Sequence, residues 1–166
     1  RHLPGGLNDS KKLSAAKRDL LADLIRTQAD VGVGIASVSE IDELNILRAS
    51  HLAMQRALDA LKTAADHALI DGNLIPRDLT IPATAIIKGD ALSLSIAAAS
   101  IVAKVQRDAI MVDLAQQFPG YGWDQNMGYP TKAHRQALQD LGVTPHHRRS
   151  FKPVHNILYQ DKNVSR

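Results

Sequence analysis

The chain has 166 residues, of which 45% are hydrophobic and 22% charged, with a net charge of +3 and no cysteine. This length and composition fit one globular domain with a hydrophobic core of its own. They exclude a disulfide scaffold and thiolate chemistry, and the lack of cysteine fits a reducing cytoplasm. No run of about eighteen uncharged apolar residues is present, so we expect a cytoplasmic protein without a transmembrane helix.

Positive charge is concentrated in two stretches, although the net charge is modest. The stretch "NDSKKLS" contains Lys11 and Lys12, and "HHRRSFKP" contains Arg148, Arg149 and Lys152. Clusters of this kind can contact phosphates, but they also occur as solvated surface. Charge alone leaves both interpretations open.

The first half of the chain predicts two helices around a strand. Ser14 can cap a helix whose apolar residues are Leu20, Leu21, Leu24 and Ile25. The stretch "VGVGIASV", Val31 to Val38, alternates and carries β-branched residues, which predicts a strand. Ser39 then opens a long amphipathic helix with apolar positions at Ile41, Leu44, Leu47, Met54, Leu58 and Leu61.

The second half predicts two more strands and two more helices. The stretch "HALIDGN" predicts a short buried strand that Gly72 ends, and "ATAIIKGD" predicts another that ends at Gly89. An Ala-rich helix follows from about Ser93 to Phe118, and after a loop come a helix over 132–141 and an irregular basic tail. Alternating strands and helices indicate an α/β layer protein. Three strands are few for that class, and Arg1 stands in place of Met, so we expect part of the sheet to lie upstream.

Asp108 is unusual because it lies on an otherwise apolar helix. One row along that helix contains Ser93, Ala97, Ser100, Lys104 and Asp108, since residues three or four apart lie above one another. The row is a narrow polar seam of mostly small residues. A surface ion pair between Lys104 and Asp108 would account for both charges.

Asp71 is a candidate partner for Asp108. It ends an apolar strand, and groups at strand ends of open α/β sheets face a ligand crevice. An Asx turn that caps its own backbone would equally explain this residue. If the two carboxylates meet, they suit Mg²⁺, which prefers hard oxygen ligands. Two Asp residues are nevertheless fewer than a two-metal site for phosphodiester cleavage requires.

Seven motifs in this chain resemble those of bacterial ribonuclease HII, in the family's order and spacing. They extend from Gly6 to Pro153 and comprise "GLNDSKKLS", "IDELNI", "LIDGN", "KGD", "SIAAASIVAKVQRD", "YG" with "GYPT", and "HHRRSF". The resemblance implies an RNase H-like α/β fold, a mixed sheet flanked by helices, whose first strands are missing here. We expect the catalytic domain over residues 1–145, and a basic segment, 146–166, that packs on it or extends from it.

The resemblance also implies a reaction. Members of this family cleave the RNA strand of RNA–DNA hybrids endonucleolytically and cut at single ribonucleotides in duplex DNA. They use Mg²⁺ or Mn²⁺ in two-metal hydrolysis and leave 5′-phosphate and 3′-hydroxyl ends. The implied partners are therefore hybrid and ribonucleotide-containing duplexes and no membrane, and we expect a monomer.

The family's active site has four carboxylates, and this chain matches two of them. Asp71 matches the Asp of the "IDGN" motif and Asp108 that of the "RD" motif, so both are implied to be catalytic metal ligands. The other two form an Asp-Glu pair in a "DEVGRG"-like segment that also senses the ribose 2′-hydroxyl. No stretch here replaces that segment. We therefore expect an N-terminally truncated fragment that is inactive by itself; a non-catalytic hybrid-binding fragment is the alternative.

Further substrate contacts follow from the same resemblance. Tyr129 of "GYPT" matches the tyrosine that stacks on the sugar beside the ribonucleotide. Asn126-Met127 departs from the family pattern, because many members have His-Lys there. The other residues implied to contact the substrate, chiefly its phosphates, are Asn8, Ser10, Lys11, Lys104 and Arg148.

Overall fold

A computed structural model describes residues 3–159, which form two compact units. Within the described residues, the first unit comprises the chain up to Ile35 together with Ser50–Arg107. The second comprises Ala36–Ala49 together with the chain from Asp108 onward. No helix in this described part is both long and apolar enough to cross a bilayer.

Helices outnumber strands along the chain. After a short 3-10 turn at Ser10–Lys12, the elements in chain order are α1 (Ala15–Gln28), α2 (Val38–Leu44), α3 (Ile46–Asp59), β1 (Ala68–Asp71), β2 (Ala83–Ile86), α4 (Gly89–Leu92), α5 (Leu94–Gln117), α6 (Trp123–Asn126), α7 (Lys132–Leu141) and α8 (Lys152–Tyr159). The predicted strand in 67–73, the Ala-rich helix and the helix over 132–141 are thus confirmed. The second predicted strand is also present, but it ends at Ile86 rather than at Gly89, which begins α4.

The sheet of the first unit consists of β1 and β2, which run parallel. Ala68 lies opposite Ala83, and Asp71 lies opposite Ile86. Ala68 and Ile70 are buried, whereas Leu69 and Asp71 on the other face are exposed. This alternation follows from the two-residue period of a strand, and it turns the carboxylate at the end of β1 toward solvent.

The core of the first unit lies between α1 and α5. The Ser14 side chain accepts the N–H of Lys17, which confirms the predicted cap of α1. Only part of the predicted apolar face is buried, because Leu20 remains 55% exposed. The buried side chains that meet in this core are Leu21, Ala22, Ile25, Ala98, Ile101 and Val102.

The predicted strand at Val31 to Val38 is wrong. Residues 31–37 have no regular secondary structure, and α2 begins at Val38. A strand needs a hydrogen-bonded neighbour, and the described sheet contains only β1 and β2. The segment lies against α3 instead, because a Cβ at Gly32 or Gly34 would overlap the backbone carbonyl of Ala57 or Ala53. Glycine is therefore required for this close approach.

The long helix predicted from Ser39 is divided in two. Asn45 has a φ of 73°, so α2 ends there and α3 starts at the next residue. Asparagine adopts positive φ more readily than most residues. Its side chain also accepts the N–H groups of Leu47 and Arg48 at 3.0 and 3.2 Å, which caps α3. The residue that caps the start of α2 is Ser37 rather than Ser39, because Ser37 and Glu40 form a reciprocal capping box.

The core of the second unit is aromatic. Its buried residues are Tyr121, Trp123, Ala137, Leu138 and Val154. Val154 belongs to α8, so the tail that the sequence predicts as irregular is in part helical and packs into this core. The apolar residues of α8 recur with the spacing of a helix face, which gives the helix a reason to form. The last residues, Gln160 to Arg166, lie outside the described part.

Candidate active site

Asp71 is the last residue of β1, and its carboxylate is oriented by the turn after β2. Oδ1 accepts the backbone N–H of Gly89 at 2.8 Å, while the residue itself remains exposed. The bond joins two positions 18 residues apart, so Oδ1 links the ends of the two strands rather than capping the turn at Gly72. An exposed carboxylate with a fixed orientation at a strand end is suited to bind a cation or to position water.

The "KGD" turn provides that orientation through its backbone. Lys88 has left-handed backbone angles (φ 56°, ψ 40°) and precedes the first residue of α4. A Cβ on Gly89 would lie 2.5 Å from Ile96 Cδ1 and 3.3 Å from Asp71 Oδ1. Glycine therefore lets the turn approach both the core and the carboxylate.

The "NDSKK" loop is held by its own side chains and by Arg18. The Asn8 side chain accepts the N–H of Asp9, and that of Asp9 accepts the N–H of Lys11. The Arg18 guanidinium donates to the carbonyls of Ser10 and Leu13. Ser10 is buried, whereas Asn8 and Lys11 are exposed. Asn8 and Lys11 are thus accessible to a phosphate, whereas Ser10 is buried beneath the surface of the loop.

This loop lies beside the "KGD" turn. Asn8 and Asp90 line one small cavity, of about 100 Å³, together with the start of α5. The first unit thus brings together one predicted phosphate-binding residue and the turn that orients Asp71. Both belong to sequence motifs that lie more than seventy residues apart.

The polar row on α5 extends over both units. Lys104 belongs to the first unit and Asp108 to the second, and both are half-buried. Neither residue is without an interaction partner. Within the same row, the hydroxyl oxygen of Ser100 is buried and has no hydrogen-bond partner among the described residues. Asp71 lies in the first unit, so the two predicted carboxylates come from different units.

The loop that carries Tyr129 is fixed by Asn126. The Asn126 amide donates to the carbonyl of Tyr121 at 2.7 Å and accepts the N–H of Gly128 at 2.8 Å. His134 Nδ1 lies 3.2 Å from the same Tyr121 carbonyl. Tyr129 is 57% exposed. The residue that departs from the family pattern therefore has a structural role, and the loop presents Tyr129 to solvent.

Arg148 lies in a basic segment that is fixed from two sides. His147 is buried against Trp123 and Tyr121, and its Nδ1 accepts the N–H of Thr144 at 3.1 Å. Burial, with a smaller effect of the His134 charge, lowers the pKa of His147 to about 4. The Arg148 guanidinium lies 5.2 Å from the centre of the Phe151 ring. The segment is therefore anchored by a neutral histidine.

Asp42 makes a long-range contact that the sequence did not predict. Its carboxylate accepts the N–H groups of Arg149 and Ser150 at 2.8 and 2.9 Å. The contact joins the motifs "IDELNI" and "HHRRSF" across more than one hundred residues. The only sequence signal was that both motifs belong to the resemblance, and neither by itself predicts the contact.

Asp71 and Asp108 are the type of ligand that binds a divalent cation, but two carboxylates do not make a complete metal site. Asp71 and Asp108 offer carboxylate oxygens, which are the ligands Mg²⁺ and Mn²⁺ accept. Within residues 3–159, however, no group of three or more His, Asp or Glu side chains lies together as a complete metal site.

Comparisons with known proteins agree on one family. A protein-family model described as Ribonuclease HII matches residues 4–154. Ribonuclease HII of Ruegeria pomeroyi is 69% identical over 159 residues, which cover 96% of this chain and 68% of that protein. Ribonuclease HII of Roseobacter denitrificans is 61% identical over 163 residues, which cover 98% of this chain and 82% of that protein.

Solved structures show the same fold. The ribonuclease H2 of Pyrococcus horikoshii superposes with a TM-score of 0.75 at 22% identity, covering 95% of this chain and 82% of that one. The ribonuclease HII in the PCNA complex from Archaeoglobus fulgidus gives a TM-score of 0.63 at 25% identity, covering 88% and 78%. The predicted RNase H-like α/β fold is thereby confirmed. With the family model and the bacterial relatives, these results place the chain in the ribonuclease HII family.

Proposed function

We propose that this chain carries the hybrid-binding surface and half of the catalytic carboxylates of an endoribonuclease. The enzyme hydrolyses the RNA strand of RNA–DNA hybrids and cuts duplex DNA at single ribonucleotides, leaving 5′-phosphate and 3′-hydroxyl ends. The observation that carries the proposal is the carboxylate of Asp71, exposed at a strand end and oriented by Gly89. Family membership over residues 4–154 supports it.

The two carboxylates have different surroundings. Asp71 presents its side chain from a strand end, and Asp108 presents its own from the middle of α5. Together they would hold Mg²⁺ or Mn²⁺, with the Asp-Glu pair of a "DEVGRG"-like segment, which no stretch of these 166 residues matches. When bound, such cations raise the nucleophilicity of water and stabilise charge on the leaving 3′-oxygen. Asp71 offers a carboxylate whose orientation is fixed before substrate binds, because Oδ1 already accepts the N–H of Gly89.

The remaining predicted residues bind the duplex. Lys11 is exposed beside Asn8, and Lys104 lies one turn before Asp108 on α5. Contacts from such cations to phosphates position a duplex without reading its sequence. Tyr129 is exposed on a loop that Asn126 fixes, so its side chain is accessible for stacking on a sugar or base. Arg148 adds a further phosphate contact from the basic segment.

The test uses this chain and a version extended at its N-terminus by a "DEVGRG"-type segment. Both are incubated with Mg²⁺ and a DNA duplex that contains one ribonucleotide. We expect cleavage by the extended version and none by the 166 residues alone. In the extended version, Asp71→Asn should abolish cleavage while hybrid binding is retained. The control is Asp78→Asn, another exposed aspartate of the first unit, which should cleave normally. Full activity of Asp71→Asn would refute the metal role of Asp71.

A second candidate function is hybrid binding without catalysis. The observation that favours it is the lack of a three-ligand acidic group within residues 3–159, beside an exposed Lys11 and a basic segment. In this case the extended version binds the duplex and remains inactive. The same assay therefore separates the two candidates.

A further inference from the structure

Asp42 forms three hydrogen bonds with the basic segment that follows α7. Oδ2 accepts the N–H of Arg149 at 2.8 Å, and Oδ1 accepts the N–H of Ser150 at 2.9 Å. The hydroxyl of Ser150 also donates to Oδ1, at 2.5 Å. Both oxygens of one carboxylate thus bind two consecutive residues of the chain. This arrangement fixes the backbone of the segment, because two amides bound by one planar group cannot rotate independently.

The carboxylate is held in its charged form. Partial burial opposes ionisation of Asp42, but the hydrogen bonds from Ser150 and Arg149 and the nearby charge of Arg148 outweigh it and lower its pKa. Asp42 is therefore an anion at neutral pH. It contacts the backbone of the segment that carries Arg148 and Arg149, so its charge also reduces repulsion between these cations.

Arg148 adjoins the two residues that Asp42 holds. Its side chain is half-buried and lies over the ring of Phe151, whose N–H donates to the Arg148 carbonyl at 3.1 Å. The residues that Asp42 holds, Arg149 and Ser150, are the two that separate Arg148 from Phe151. Holding this turn closed keeps the guanidinium and the ring in contact.

We propose that Asp42 is a positioning residue that holds Arg148 in place for contact with substrate phosphates. The proposal rests on the proposed function, in which the basic segment contacts the duplex. Asp42 itself does not touch the substrate in this view. It acts from α2, through the backbone of residues 149 and 150.

The sign of the effect separates positioning from simple charge. Removing an anion beside three cations makes the segment more positive, so charge alone predicts tighter binding of a nucleic acid. Loss of positioning predicts weaker binding, because Arg148 no longer occupies one place. Asp42→Ala and Asp42→Asn should therefore bind a hybrid less tightly than the unchanged chain, although both are more cationic.

The experiment measures binding of the 166-residue chain to a fluorescent RNA–DNA hybrid without divalent cations, at several salt concentrations. For Asp42→Ala we expect a three- to tenfold loss of affinity, and a salt dependence that falls by about one phosphate contact. Asp42→Asn, which keeps one acceptor oxygen, should lose less. Glu43→Ala and Glu43→Gln are the matched controls, since Glu43 is the exposed acidic neighbour, and neither should weaken binding.

A double-mutant cycle with Arg148→Ala tests whether Asp42 affects binding through Arg148. If Asp42 acts by placing Arg148, the double variant binds no more weakly than Arg148→Ala alone. Amide exchange provides a readout without nucleic acid, because the N–H groups of Arg149 and Ser150 should exchange faster in Asp42→Ala. If that variant does not fold, Ser150→Ala replaces it and removes only the hydroxyl donor.

The outcomes of these experiments distinguish failure of the positioning role from failure of the proposed function. If Arg148→Ala weakens binding and Asp42→Ala does not, the positioning role is wrong and the proposed function stands. Strictly additive losses in the cycle would also overturn positioning, because they show that Asp42 acts independently of Arg148. If the unchanged chain does not bind the hybrid, or Arg148→Ala binds normally, the proposed role of the basic segment fails and the inference fails with it.

Discussion

Two aspartates, Asp71 at the end of β1 and Asp42 in α2, both belong to family motifs but differ in exposure and in the hydrogen bonds that their carboxylates accept. Asp71 is exposed, and Gly89 is the residue that donates to its carboxylate. Asp42 is half-buried, and its two oxygens receive three hydrogen bonds from the segment at 149–150. The first carboxylate retains capacity for a ligand, and the second is satisfied within the protein.

The difference shows that motif membership does not identify a catalytic residue. The letters "ID" occur in both "IDGN" and "IDEL". What separates the two residues is the number of donors around each carboxylate and its access to solvent. Four predictions test or sharpen this contrast, beginning with the largest expected difference.

The largest effect on stability is expected when the two aspartates are each replaced by alanine. Asp42→Ala leaves two backbone amides and one hydroxyl without their acceptor and should destabilise the fold by about 2–3 kcal/mol. Asp71→Ala removes one bond at an exposed position and should cost about 0.5–1 kcal/mol. Urea unfolding of both variants measures the difference. Equal losses in the free energy of unfolding would contradict the distinction between a carboxylate satisfied within the protein and one available to a ligand.

Gly89→Ala probes how firmly the "KGD" turn fixes Asp71. The new Cβ would lie 2.5 Å from Ile96 Cδ1 and 3.3 Å from Asp71 Oδ1. Because Ile96 is buried and has little room to move, we expect a loss of about 1–2 kcal/mol. Gly5→Ala is the control, since a Cβ there meets nothing within 4 Å. Thermal unfolding compares the two, and an unchanged midpoint for Gly89→Ala would contradict the close packing of this turn.

The buried His147, which lies in the same unit as Asp42, predicts that the free energy of unfolding depends on pH. Its pKa is about 4 in the folded chain and about 6.5 when unfolded. Between these values the unfolded state binds more protons, so stability falls as pH decreases from about 6.5 to 4, by up to about 1.4 kcal/mol per pH unit.

The comparison that isolates this effect is His147→Gln against the unchanged chain, with unfolding measured at several pH values. The variant should lose this part of the slope. His155→Gln, at an exposed histidine of α8, should keep it. A slope that His147→Gln leaves unchanged would show that this histidine is not the group that titrates.

Asn126→Ala probes how firmly the loop of Tyr129 is held. It removes the bonds to the Tyr121 carbonyl and from the Gly128 N–H, at a half-buried position. We expect a loss of about 1 kcal/mol. The exposed neighbour Gln125 serves as the control, and Gln125→Ala should be neutral. Equal midpoints for the two variants in thermal unfolding would mean that Asn126 does not hold the loop of Tyr129.

Local signals in the sequence predicted a large part of the fold. Ser14 caps α1 because a hydroxyl one residue before a helix satisfies an N–H whatever the rest of the chain does. The helix over 132–141 is found with those bounds, since its cap at Thr131 and the glycine at 142 are both local. The position of Asp71 at a strand end was also predictable from the apolar run before it.

Two of the errors depend on a distant partner, and one depends on the local conformation of a single residue. The segment at 31–37 alternates as a strand does, but no described strand pairs with it, and α3 lies against its glycines instead. The break at Asn45 depends on one residue that adopts positive φ where helix periodicity continues on both sides. Asp42 lies in a predicted helix, yet its role depends on amides 107 and 108 positions later in the chain.

The sequence by itself determined the family, the two strands, most of the helices and the candidate carboxylates Asp71 and Asp108, because these depend on local pattern or on motifs in order. Only the tertiary structure decided that Gly89 orients Asp71, that Asn126 holds the loop of Tyr129 and that Asp42 holds the basic segment. Hydrogen bonds act over about 3 Å, and the chain brings such groups within that distance only after it has folded.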